Sequence, residues 1–147
     1  MIWLALAITA FAAAVDLRRR EIPDWCPVLL VGAALAHGIL ATASGAAIDV
    51  DWTSRLLGGG VAFGIGAALF YAGGFGGGDA KLLGALGFAL GAGETWTLLF
   101  WTALGGAVAG VVAARRGDDE VPYGPAIAVG VALTIVARHW PLLAPFS

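Results

Sequence analysis

Met1-Ile-Trp-Leu-Ala-Leu-Ala-Ile-Thr-Ala-Phe-Ala-Ala-Ala-Val15 is an unbroken apolar run that stops at Asp16-Leu17-Arg18-Arg19-Arg20. A helix needs about 20 apolar residues to cross a bilayer, with a usual range of about 17–25, and clustered basic residues mark the cytoplasmic end of a crossing. The opening run therefore reads as a first crossing that travels from outside to inside. Beyond it, apolar stretches fall at Pro27–Ala43, Leu56–Phe75, Ala80–Ala92, Thr95–Ala114 and Pro125–Ala137. The fourth would span only about 20 Å as a helix, so a re-entrant segment is its alternative. Charge decides between the two. With six crossings, Arg18–Arg20, Lys81 and Arg115–Arg116 lie inside, leaving Arg55 and Arg138 outside. A re-entrant fourth stretch would carry Arg115 and Arg116 outside and erase that bias. The expected fold is thus all-α: a polytopic integral membrane protein of about six transmembrane helices, both termini outside, forming one domain over residues 1–147.

Composition agrees. Hydrophobic residues make up 60% of the chain and charged residues 12%, where a soluble domain carries about 25% charged. The mean hydropathy is +0.89. A water-facing surface cannot be built from 8 basic and 10 acidic residues among so much Ala, Gly, Leu and Val. A soluble globule, a disordered tail and a nucleic-acid binder are excluded. The single Cys26 leaves no internal disulfide framework and no Cys-cluster zinc site. Ala12-Ala13-Ala14 looks like a cleavage site, but the basic cluster lies on the wrong side of the run for a signal peptide. Trp3, Trp25, Trp52, Trp96 and Trp140 stand near stretch ends, as in an aromatic belt, whereas Trp101 does not. The 23 glycines include pairs four apart, Gly60/Gly64, Gly87/Gly91 and Gly106/Gly110. That spacing is expected to let helix backbones approach closely.

Most acids fall in loops. Asp49, Asp51 and Glu94 are expected outside, Asp118, Asp119 and Glu120 inside, and Glu21 and Asp24 in the turn after the first helix. Asp16 and Asp79 differ: one ends an uncharged run, and the other opens a run after Gly76-Gly77-Gly78. Carboxylates at membrane depth are costly and point to function. The topology, derived without them, places both at the cytoplasmic face. Two carboxylates facing each other in a low-dielectric site share a proton more readily than they both ionise. One can then act as base on a water while the other protonates a carbonyl oxygen or leaving amine. The glycines before Asp79 would let an extended substrate backbone come close. Two other readings of the spacing stay open. Asp79 could be a helix N-cap with Asp16 paired to Arg19 or Arg20, or the acids could serve a proton- or ion-coupled carrier.

Asp16-Leu-Arg-Arg-Arg-Glu-Ile-Pro23, Gly76-Gly-Gly-Asp79-Ala-Lys-Leu and Val-Pro122-Tyr-Gly-Pro125-Ala-Ile-Ala together resemble the GxGD-type prepilin peptidases. The likeness is strongest to the short forms that serve Tad/Flp pilus systems, and it runs over nearly the whole chain. The resemblance implies that Asp16 and Asp79 are the catalytic pair. It also implies an aspartyl endopeptidase of the inner membrane that removes a short basic leader from a prepilin, cutting after a glycine at the cytoplasmic face. Family members often carry Asn where Asp24 stands, a departure not expected to affect catalysis. Longer members add a Cys-x-x-Cys zinc region and a methyltransferase activity, neither of which is expected here. Presenilin-like enzymes place their other acid in a Tyr-Asp motif just upstream. Here that helix ends Leu69-Phe70-Tyr71-Ala72 without the acid.

Substrate contacts are expected from Gly76, Gly77, Gly78 and Lys81, with headgroup snorkelling as the other role for Lys81. Pro122–Pro125 reads as the start of the last helix, with a supporting role behind the catalytic residues as its alternative, and His37 as a packed neutral histidine. No metal ligands and no cofactor are expected. The partners are a prepilin-like protein and membrane lipid, with the oligomeric state open. A small carrier or a non-catalytic pilus assembly subunit is the competing function.

Overall fold

A computed structural model describes residues 2–44, 50–117, 121, 123–138 and 140. Asp49, Asp118, Asp119, Glu120, Pro122 and both chain termini lie outside the described residues. All regular structure within them is helical, as expected: α1 (Ile2–Arg19), α2 (Trp25–Ala43), α3 (Trp52–Tyr71), α4 (Gly77–Leu90), α5 (Ala92–Arg116) and α6 (Gly124–Ala137).

Local signals set the helix ends. Asp51 caps α3 by accepting the Ser54 N–H at 2.9 Å, satisfying one of the four free amides at a helix start. α5 carries Arg115 and Arg116 in its last turn, where cations suit the helix dipole, and stops at Gly117 in the left-handed region. A single residue, Gly91, separates α4 from α5. Its φ of +87° is a conformation that L side chains rarely adopt. Pro125 lies in the first turn of α6, as the sequence indicated.

α4 is the hub. It packs on α1, α2, α3 and α5, and Leu82, Leu83 and Leu86 are among the most buried side chains in the protein. Beyond Lys81 the helix carries no charge, and a helix apolar all round belongs in an interior. Its partnership with α3 is the most extensive in the bundle. The two run antiparallel: Gly58 meets Gly87, Phe63 meets Gly84, and Gly66 meets Ala80. α4 is therefore one continuous helix laid along α3 from Gly66 to Gly58.

The glycine spacing was only half informative. Cβ atoms on Gly87, Gly91 or Gly106 would collide with neighbours. Gly60, Gly64 and Gly110 have nothing within 4 Å of that position. The close approach uses a different stripe of α3, Gly58, Ala62 and Gly66, which is buried while Gly60 and Gly64 are exposed.

The outer surface is strongly apolar. Trp3 (73% exposed), Val28, Leu40, Leu56, Val108 and many other large hydrophobic side chains face outward. Monomers in water rarely expose apolar patches beyond a few hundred Å². α2, α3 and α5 are each long and apolar enough to cross a membrane. The protein is a helical membrane protein.

Candidate functional site

Asp16 lies in the last full turn of α1 and is 4% exposed. Just beyond it Arg20 adopts φ +54°, with its N–H donated to the Asp16 carbonyl at 2.7 Å. This reversal swings Glu21-Ile22-Pro23-Asp24 back over the end of the bundle. Ile22 is buried and seats directly on Gly78, where a Cβ would stand 2.9 Å from the Ile22 carbonyl oxygen.

Asp79 is 7% exposed and belongs to the first turn of α4. The sequence reading treated it as a candidate N-cap after a flexible glycine string. Instead Gly76 is the N-cap, Gly77 and Gly78 are already helical, and Asp79 is the third helical residue. Its Oδ2 accepts the Gly76 N–H at 3.0 Å, the acidic half of a capping box. Because a side chain at Gly76 would stand 2.9 Å from that same oxygen, glycine at this position lets the carboxylate fold back. Asp79 Oδ1 is buried and has no hydrogen-bond partner among the described residues, so one oxygen is engaged and the other available.

The two acids meet. Asp16, Asp79, Gly76, Gly77 and Gly78 line one cleft of about 440 Å³, together with Val15, Arg19, Arg20 and Glu21–Asp24. Four carboxylates and two guanidinium groups line the cleft. Like charges in one partly dry cleft oppose joint ionisation, which is the condition for a shared proton. Among the described residues, no group of three or more His, Cys, Asp and Glu stands together as metal ligands would.

Sequence reasoning missed one neighbour of the pair. Gly124, at the head of α6, donates its N–H to Asp16 Oδ2 at 2.8 Å in a buried bond across 108 residues of chain. The Pro-Tyr-Gly-Pro string reads as the start of the last helix or as a support of the catalytic residues, without showing which of its groups faces Asp16. Nothing in a linear sequence says which side chain a backbone amide will face.

Lys81 does not line the cleft. Its Nζ binds Asp24 Oδ1 at 2.7 Å, tying α4 to the α1–α2 turn. Both partners are exposed, at 52% and 75%. Exposed pairs contribute about 0–1 kcal/mol. Lys81→Gln is accordingly expected to change unfolding free energy in detergent by at most about 1 kcal/mol, readable from a denaturant titration. A larger loss would mean that the pair anchors the turn over the cleft. His37 sits in α2, outside the cleft lining.

Fold and site define a helical membrane protein with two buried carboxylates, remote in sequence, lining a single polar cleft at one end of its bundle. Residues 3–111 match the type IV leader peptidase family, and the chain belongs to that family. It is a protease of the prepilin-peptidase kind. The matched span includes both aspartates and ends before α6, so the Pro-Tyr-Gly-Pro resemblance extends beyond it. No curated protein and no solved structure matches the chain.

Proposed function

We propose that this protein is an aspartyl endopeptidase that removes the leader of type IV prepilins of the Tad/Flp kind at the cytoplasmic face of the inner membrane, with Asp16 and Asp79 as its dyad. In this reading all six helices cross the bilayer, both termini lie outside, and the bundle end carrying the cleft faces the cytoplasm. The observation that carries it is the meeting of the two acids in one cleft.

The chemistry follows from the pair. One carboxylate, ionised, takes a proton from a water, and the oxygen attacks the scissile carbonyl carbon. The other, protonated, donates to the carbonyl oxygen, giving a neutral tetrahedral diol. Collapse breaks the C–N bond: the ionised carboxylate takes a proton from one diol hydroxyl as the carbonyl re-forms, the protonated one gives its proton to the leaving amine, and the pair ends with the single proton it began with.

Two features support a substrate with a basic leader and an apolar stem. Glu21 and the dyad give the cleft carboxylate oxygens that lysine and arginine side chains of a leader can meet. Beside it a second groove, lined by Phe11, Val15, Arg18, Arg19, Pro23 and Trp25, shares Val15, Arg19 and Pro23 with the first. Its aromatic and aliphatic wall is suited to an apolar segment arriving from lipid.

The test is a processing assay with a prepilin-like protein encoded beside this gene. Cleavage just after a leader glycine is expected, read by a mass shift and a new N-terminus. Failure to cut any such protein, combined with uptake driven by a pH gradient, would assign the acids to a carrier. A shared proton further implies a bell-shaped dependence of kcat/KM on pH, because activity falls when both acids are protonated and when both are ionised. A profile flat from acidic to neutral pH would contradict dyad chemistry.

A further inference from the structure

We infer that the Tyr123–Gly124 corner at the head of α6 is a positioning element that fixes the two aspartates relative to each other. The inference rests on the dyad reading above and extends it to a segment that reading does not use.

Three contacts converge on the corner. Gly124 donates its N–H to Asp16 Oδ2. The Tyr123 ring packs on Phe75, with centroids 4.7 Å apart, and Phe75 immediately precedes Gly76, whose N–H holds Asp79 Oδ2. Behind it, the Tyr123 ring lies so close to Gly106 of α5 that a Cβ there would come within 2.8 Å. One dipeptide thus touches the end of α1, the lead into α4, and α5. Through it the two carboxylates share a common brace.

The geometry at Gly124 leaves no slack. A Cβ there would stand 2.8 Å from both the Cβ and Oδ2 of Asp16, and 3.1 Å from the Ala13 Cα. Only glycine lets the backbone come near enough to donate. Pro125 follows without an N–H and sets its own φ, so it cannot compete for the carboxylate. The N-cap of α6 makes no side-chain cap bond of its own. Asp16 therefore takes one of the free amides at the head of α6 while having one oxygen pinned. The charged and titratable groups that line the cleft with Asp16 are Asp79 from α4, Arg19 and Arg20 from its own helix end, and Glu21 and Asp24 from the following turn.

A cap that merely stabilised α6 would leave the chemistry untouched, and this sets the experiment. Replacing Gly124 with glycolate, so that its peptide N–H becomes an ester oxygen, removes the donor without adding bulk. In the intact membrane protein, kcat for leader cleavage is expected to fall about 10- to 100-fold with KM unchanged, since misplacement of a reacting group has effects of this size. The pH–rate profile should also shift, because one hydrogen bond to the Asp16 carboxylate is gone. In parallel, Tyr123→Ala should lower kcat, and Tyr123→Phe, which restores the ring against Phe75 and Gly106, should recover it. Unchanged kcat and pH profile in the ester protein, or undiminished kcat in Tyr123→Ala, would overturn the inference. If Asp16→Asn or Asp79→Asn still cleaved, the dyad reading itself would fall instead, so the two failures are distinguishable.

Discussion

Asp79→Asn is expected to lower leader cleavage about 10²- to 10⁴-fold, and Asp16→Asn to do the same, the range over which positioned acids and bases contribute. The substitution is close to isosteric. Each new amide keeps an oxygen that can accept the bond now made by Gly76 N–H or Gly124 N–H. Folding and membrane insertion should therefore survive, while the ability to hold and return a proton is lost. Because the acids act as one unit, the double replacement should be little worse than either single one. The measurement is the rate of leader removal by purified protein in detergent or liposomes, alongside its melting curve. A pilus assembly subunit would tolerate both changes. A carrier would lose gradient-driven uptake and would show no cleavage to lose. Normal cleavage by either single variant would remove Asp16 and Asp79 from the chemistry.

How far the sequence revealed this site depends on the kind of interaction. Asp16 and Asp79 could be placed together because charge bias fixes the direction of each helix, and direction alone determines which ends share a face. Ile22-Pro23 could be tied to the site only through motif likeness, since its physical role is a tertiary one: Ile22 seats on Gly78. The local structure at Asp79 was misjudged for an identifiable reason. Gly76-Gly77-Gly78 looks like a flexible linker by helix propensity, yet α4 begins within it because tertiary packing outweighs propensity. Gly124 escaped because its contribution is a backbone amide, a group every residue except proline has. Asp24 was read as a solvated turn acid. It does stand at the N-cap position of α2, but its carboxylate serves Lys81 and makes no cap bond.

The glycines give the second large effect, and they separate residues the sequence treats alike. Gly58→Val is expected to destabilise the protein by about 3 kcal/mol, the upper part of the usual range for overpacking. A Cβ at Gly58 would stand 2.5 Å from the Gly87 carbonyl oxygen and 2.7 Å from the Gly91 carbonyl carbon. Both are backbone atoms of α4 and its end, so no side chain can rotate away to make room; the helices themselves must part. α4 is also the hub and carries Asp79. Parting α3 from α4 should therefore lower leader cleavage as well as stability, although Gly58 lies toward the opposite end of the bundle from the cleft. Gly60→Ala and Gly64→Ala supply the contrast. Both positions are exposed, with nothing within 4 Å of the added methyl. Removing glycine from a helix interior changes stability by about 0.5–1 kcal/mol at most, in the favourable direction. Denaturant titration in detergent should thus rank Gly58→Val far below the parent protein and place Gly60→Ala and Gly64→Ala at or slightly above it. The opposite ranking would show that α3 packs through its four-apart glycines, and with a different face turned toward Asp79's helix the carboxylate cleft would be built on the wrong register.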